Sequence, residues 1–237
     1  MKMLSTAHAQ RFYTLVEVRP SPDGHAVCLD GRVPKTPGGR SLAVPSRALA
    51  RALADEWDKQ KERIRPETMP VNQLVNTALD RVAAQREAIV EQTVSYGGSD
   101  LLCYRAEVPA DLVERQVKLW QPMLDWAETT LRAPLLVTQG IGHIVQPAST
   151  MIALREAVVG LNAWRLTALQ AVVPALGSLV LGLAWLYKRL SPEEALAASL
   201  LDELFQAERW GLDRETRIRH GVLKRELRAA GHLRVIE

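Results

Sequence analysis

Between Arg165 and Lys188 the chain runs from residue 166 to residue 187 without a charged side chain. A stretch of that length matches the hydrocarbon thickness of a bilayer, so it either crosses a membrane or forms the centre of a fold. Its internal pattern favours the second. Thr167, Gln170, Pro174, Ser178 and Gly182 recur every three or four positions and place one small or polar stripe on a helix. Such stripes also let helices approach one another within membranes, so the stripe does not decide alone. Pro174 is expected to kink or interrupt the helix. Amphipathic segments continue on both sides without membrane-flanking loops. The expectation is a helix over 162–190 buried in a helical bundle. The alternative is a membrane-associated protein anchored through 166–187.

Composition supports a packed core. Of 237 residues, 47% are hydrophobic and 24% charged, enough for one large domain or two small ones. The net charge is +3, with acidic and basic residues interleaved, which excludes a nucleic-acid-binding signature. Only 214–234 leans basic, and a solvated helix face accounts for it better than a phosphate-binding patch. Cys28 and Cys103 lie far apart and form no CxxC pair, so a reducing compartment fits better than a disulfide framework. The histidines (His8, His25, His143, His220, His232) show no HxxxH spacing, and no metal site is expected. The first twelve residues hold no apolar run of signal-peptide length, and no secretory signal is read there.

The opening third reads as a small sheet. Residues 11–18 alternate loosely with Phe, Tyr and Val and suggest a strand, 21–24 a turn, and 25–29 a second strand. Asp30-Gly31 suits a tight hairpin turn, and 41–44 offers a third strand. Ser46 can cap a helix over 47–61, with Leu49, Leu53 and Trp57 on one face. Helical patterns follow at 71–82 and 86–96, then a joint at 97–99 and a short strand, or the end of the sheet region, at 101–105. From Pro109 the chain reads as helical, with a stripe through Val113, Val117, Trp120, Leu124, Ala127 and Leu131 that Pro122 is expected to kink. Residues 135–146 form a connector, possible as strand and loop, and 148–161 another helix. Ser191, Pro192 and Glu194 spell a capping box that starts a helix running to Trp210 and stopping at Gly211. A last helix covers 214–230. The fold class is α+β: a small N-terminal antiparallel sheet domain with helices (8–105), then a larger all-helical domain (106–237).

Chemistry is scarce. The chain has no GxxxxGK[ST], no GxGxxG after a strand and no GxSxG elbow. Asp202, Glu203 and Glu208 could pair as acid and base, but no cleft motif supports it. No enzyme and no cofactor are expected. The informative segment is 201–211, LDELFQAERWG. At about 100° per residue, Leu196, Ala197, Leu200, Leu201, Leu204 and Phe205 gather on one side. Glu208 projects near the middle of that side and Glu203 on its margin, while Asp202 and Arg209 point away. A buried carboxylate there is costly without a partner, and the nearby helix C-terminus disfavours it further. One reading ends the core a turn earlier and leaves Glu208 wet, paired with an arginine. The other has Glu203 and Glu208 flank a groove and meet a partner's basic or amide groups. Trp210 is read as a packing anchor, because tryptophan is more often core than interface.

Several segments together resemble one family. They are VCLDGRVPKTPGGRSLAVPSRALARALADEWDKQ at 27–60, TMPVNQLVNTALDRV at 68–82, YGGSDLLCYRAEVPADLVERQ at 96–116, WQPMLDWA at 120–127 and LDELFQAERWG at 201–211. The chain resembles the ATP-twelve (ATP12) family, the assembly chaperone for the alpha subunit of the F-one sector of ATP synthase. The resemblance spans nearly the whole chain in the right order. It implies the two-part fold above, no enzyme activity and no stable membrane insertion. Its partner would be the unassembled alpha subunit, whose interface it shields until the subunit enters the catalytic head. It places the functional glutamate at Glu203, with Glu208, Asp202 and Gln206 as neighbouring contact positions. Trp57, Trp210 and Gly211 become packing and helix-stop positions. The stretch after Gly211, Leu212-Asp213-Arg214-Glu215, departs from the acidic run common in bacterial members. The expected setting is a monomer, when free, in the bacterial cytoplasm, which corresponds to the mitochondrial matrix in eukaryotes.

Overall fold

The computed structural model describes residues 9–140 and 142–236. Residues 1–8, which carry most of the N-terminal stretch discussed above and the expected domain start, lie outside the described residues, as do 141 and 237. Strands β1 (Val16–Ser21), β2 (Gly24–Leu29) and β3 (Ala43–Val44) form an antiparallel sheet in that order. Helices α1 (Arg47–Asp58), α2 (Pro70–Asp80) and α3 (Val82–Ser95) follow. Strand β4 (Tyr104–Arg105) pairs in parallel with β5 (Thr138–Gln139), on either side of α4 (Ala110–Leu131). The rest is helical: α5 (Ala148–Val159), α6 (Ala163–Leu176), α7 (Leu179–Leu186), α8 (Pro192–Ser199), α9 (Leu201–Trp210) and α10 (Arg214–Arg234).

Local signals hold where they were strongest. Asp30 and Gly31 take φ of 46° and 79°, and Leu29 and Arg32 exchange backbone hydrogen bonds across that turn. Ser46 caps α1 by accepting from the Leu49 N–H, and the Ser191–Glu194 capping box is complete. Strand β1 starts at Val16 rather than at 11. Ahead of it, Gln10 forms an isolated antiparallel bridge with Arg63, and side chains serve much of the remaining backbone. The Asp30 carboxylate accepts from the N–H groups of Thr14 and Leu15, and Arg11 donates to the carbonyls of Tyr13, Asp58 and Gln60.

The EWD tripeptide is a joint. Both Glu56 carboxylate oxygens accept from the N–H groups of Val71 and Asn72, at 2.9 and 2.8 Å, at the start of α2. A helix start leaves its first N–H groups without partners, and Glu56 supplies them. Trp57 donates its indole N–H to Asn72 and meets the Tyr13 ring edge-on at 5.7 Å. At the other end of α2, Asp80 accepts from the Thr36 hydroxyl and the Gly38 N–H, which ties down the 36–38 loop.

The uncharged stretch is two helices, not one. Helix α6 has 14 residues and α7 has 8, so they rise about 21 and 12 Å. Neither reaches the ~30 Å of a bilayer core, and no helix among the described residues is long and apolar enough to cross a membrane. The break falls at Gly177 and Ser178, whereas Pro174 sits inside α6 and Pro122 inside α4. Gly177 ends α6 at φ 64°, a left-handed conformation that glycine takes without a Cβ penalty. Ser178 caps α7 by accepting from the Leu181 N–H. Helices α6 and α7 then fold against each other so closely that a Cβ on Gly182 would lie 2.7 Å from Val173 Cγ2. Every residue of α7 is buried. Helices α2, α3 and α10 pack around α6, and α4 and α8 around α7. Thus α2 and α3, which precede residue 105, share a core with helices that follow it.

The α6–α7 break is held from a distance. Asp100 is fully buried and accepts from the Ser178 hydroxyl at 2.7 Å, the Val180 N–H at 3.0 Å and the Leu102 N–H at 3.1 Å. Burial pushes its carboxyl up to about 6, against the opposing pull of these donors. Asp100→Asn turns an NH₂ toward at least one N–H donor and should cost about 1–3 kcal/mol. The folded state holds the Asp100 proton more tightly than the unfolded chain, whose value is 3.8. This group's contribution is therefore full below about pH 4 and is lost as pH rises through 6. The stability gap between wild type and Asp100→Asn should narrow over that window, as read by urea unfolding at a series of pH values. A gap that widens would contradict the burial effect.

Candidate functional site

Ser199 ends α8, and Leu200, at φ −98° and ψ 12°, starts α9 in a new direction. The helix expected over 192–210 is thus broken. The bend keeps Leu200, Leu201 and Phe205 in the core while α9 runs along α4. It also changes which side chains face the protein. Asp202 and Arg209 do not point away: Asp202 accepts from the Gln116 amide at 2.8 Å, and Arg209 donates to Asp111 at 2.7 Å. Glu208 accepts from Arg115 at 2.8 Å. Three residues of α4 therefore tie down three of α9. The Arg115 and Arg209 guanidiniums also lie 5.1 and 4.0 Å from the Phe205 ring centroid, enclosing the last buried residue of the helix.

Glu208 is consequently exposed and paired. The Arg115 hydrogen bond holds its carboxyl below the ordinary value, and Arg209 adds to the effect. The unfavourable end of the helix dipole is offset by these cations. Glu203 faces the opposite way, toward α10, and accepts from Arg219 and from His220, the latter at 3.1 Å. Its placement in the first turn of α9 suits a negative charge.

Between α9 and α10 the chain turns through an elbow. Gly211 ends α9 at φ 79° and ψ 165°, a region essentially closed to residues with a Cβ. Asp213 then caps α10, with its two oxygens accepting from the Thr216 N–H and hydroxyl. The backbone bond from Thr216 is the main cause of its depressed pKa. The elbow encloses an open cleft of about 400 Å³ lined by Glu203, Gln206, Trp210, Gly211, Asp213 and Arg219. Trp210 is not a packing anchor. The residue is 78% exposed, because the core on this helix ends at Phe205.

The structure thus gathers Glu203, Gln206, Trp210 and Gly211 in one cleft and assigns Asp202 and Glu208 to the α4 contact. Trp57 lies elsewhere, at the α1–α2 joint. The cleft also holds Arg219 and Asp213, which motif reasoning did not single out. The DxxT spacing from Asp213 to Thr216 is a capping signal the sequence does contain. The Glu203 partners carry none, since any basic residue of 214–234 could have served.

Comparison with known proteins gives a consistent result. The family model described as "ATP12 chaperone protein" matches residues 10–128. The mitochondrial protein atp12 of Schizosaccharomyces pombe is 30% identical over 195 residues, 77% of this chain and 67% of that protein. The crystal structure of Atp12 from Paracoccus denitrificans is similar at 41% identity with a TM-score of 0.87, covering 95% of this chain and 97% of that one. A crystal structure from Agrobacterium tumefaciens is 40% identical with a TM-score of 0.88, covering 95% and 85%.

The contrast between Phe205 and Trp210 can be tested directly. Phe205→Ala should cost about 3–5 kcal/mol, the range for a buried aromatic truncation. Trp210→Ala should stay within about 0.5 kcal/mol of wild type. Denaturant unfolding of the two variants measures both.

Proposed function

The chain belongs to the ATP12 chaperone family, which acts in ATP synthase assembly and is not enzymatic, and from that premise we propose that it binds the unassembled alpha subunit. The observation that carries this reading is the exposed elbow, where Trp210 stands in solvent beside Glu203 and Gln206. An unassembled subunit exposes apolar interface that promotes aggregation, and a chaperone must cover it reversibly. Tryptophan is among the side chains that most often dominate such contacts. An indole left exposed beside a cleft is suited to that work.

The carboxylates divide their roles. Asp202 and Glu208 orient α9 against α4, so the helix presents its far side in one direction. Gln206 and Trp210 offer that side to the partner. Glu203 is already occupied by Arg219 and His220. A cation or amide of the alpha subunit would compete with Arg219 for it, which moderates affinity and eases release when the beta subunit arrives. The chaperone works as a monomer in the bacterial cytoplasm, takes no cofactor and releases alpha into the catalytic head.

Pull-down with separately expressed alpha and beta subunits tests the reading. Alpha should be retained in preference to beta. Trp210→Ala and Glu203→Lys should each weaken alpha retention about tenfold or more, consistent with hot-spot magnitudes. Their unfolding curves should stay close to wild type, since both positions are on the exposed elbow. Equal retention of beta, or full retention of alpha by both variants, would sink the proposal.

A further inference from the structure

A second surface shares no lining residue with the elbow. A groove of about 1050 Å³ is bounded by α2 and the segment before it, by α10 and by α6. Leu74, Ala171, Pro174, Ala175, Val222 and Ala229 supply its apolar lining. A smaller groove of about 290 Å³ shares Leu74, Ala171 and Pro174 with it, so the two form one channel along α6. The small side chains at 171, 174 and 175 keep that channel open.

The polar groups on the channel divide into engaged and free. Glu56 is engaged at the start of α2, and Glu67 accepts from Arg65. Arg225 and Arg228 line the α10 wall, and among the described residues neither makes an ion pair or a side-chain hydrogen bond. Lys59 faces them from the other wall, where it lies within electrostatic reach of Glu56. Glu226 is the one opposing carboxylate on that stretch of α10. In the smaller groove, Gln92 and Gln170 carry side-chain amides that make no hydrogen bond among the described residues.

We propose that this channel docks an extended, acidic and apolar peptide segment of a partner protein. An extended chain sends alternate side chains to opposite faces. Aliphatic groups would then enter the α6 floor while carboxylates reach Arg225 and Arg228. Carboxylates meet guanidinium groups in strong, directional hydrogen bonds. The peptide backbone needs donors and acceptors, and the amides of Gln92 and Gln170 provide both. A nucleic acid, which carries a phosphate at every residue and no aliphatic side chains, would gain little from an apolar floor. This surface is distinct from the elbow, and its occupancy does not depend on Trp210.

The test uses the full chain and a fluorescent synthetic peptide of alternating leucine and glutamate. Saturable binding is expected, weakened by salt and weaker still for the peptide with glutamine in place of glutamate. The double variant Arg225→Glu, Arg228→Glu should bind at least about tenfold less tightly, in line with the loss of charge-assisted pairs. Ala175→Trp, which fills the groove and leaves the cations in place, should weaken binding too, with circular dichroism confirming the fold. Trp210→Ala should bind like wild type. Hydrogen exchange should show peptide protection in α2 and in the second half of α10. Undiminished binding by the double variant would overturn the proposal. So would protection confined to the elbow, or tighter binding of a single-stranded oligonucleotide or anionic phospholipid vesicles.

Discussion

The buried carboxylate of Asp100 is the contact on which the centre of the molecule depends. Helix α7 has no exposed residue, yet its first N–H groups need acceptors like those of any helix. Water does not reach them. Ser178 supplies its hydroxyl to Leu181 and its carbonyl to Gly182, and Asp100, 78 residues before Ser178, accepts from Val180 and steadies the Ser178 hydroxyl. The same carboxylate accepts from Leu102, so it also fixes the turn that leads into β4. Desolvating the carboxylate is unfavourable, as its raised pKa records. Leaving the helix start unsatisfied in the core would cost about 1–3 kcal/mol for each lost bond.

Smaller versions of the device recur. Glu56 satisfies the start of α2, Asp80 holds the 36–38 loop, and Asp213 starts α10. Gln146 does the equivalent for a connector, exchanging both amide hydrogen bonds with the backbone of Leu136. The ion pairs of the α4–α9 contact are more exposed and work by orientation more than by energy. Beside these internally committed polar groups, the side chains of Gln206 and Trp210 at the elbow make no hydrogen bond among the described residues.

What the sequence revealed and what it hid follows from distance along the chain. Capping boxes, the Asp30-Gly31 turn and the Gly211 stop are local, and their residues are legible in a row. The identity of 166–187 as core was legible too, but the place of its break was not. Proline and glycine both interrupt helices, and the choice of Gly177 over Pro174 was made by Asp100, far upstream. The Glu208 problem had the same form. Projected on one straight helix, its carboxylate sat on an apolar face with nothing to meet. The bend at Leu200 turned that face toward α4, where Arg115 lies 93 residues away in sequence. Tryptophan statistics favour the core for Trp210, but the core of this helix closes at Phe205.

The position of α10 in the chain has a consequence for biosynthesis. The α6–α7 hairpin is the most apolar part of the protein, and α10 covers α6 with Leu227, Ala230 and Leu233, all fully buried. A ribosome delivers the hairpin well before the helix that covers it. Until the chain has been extended past Leu233, that hairpin has no complete shelter, and the nascent protein faces the hazard of exposed apolar surface that chaperones exist to manage.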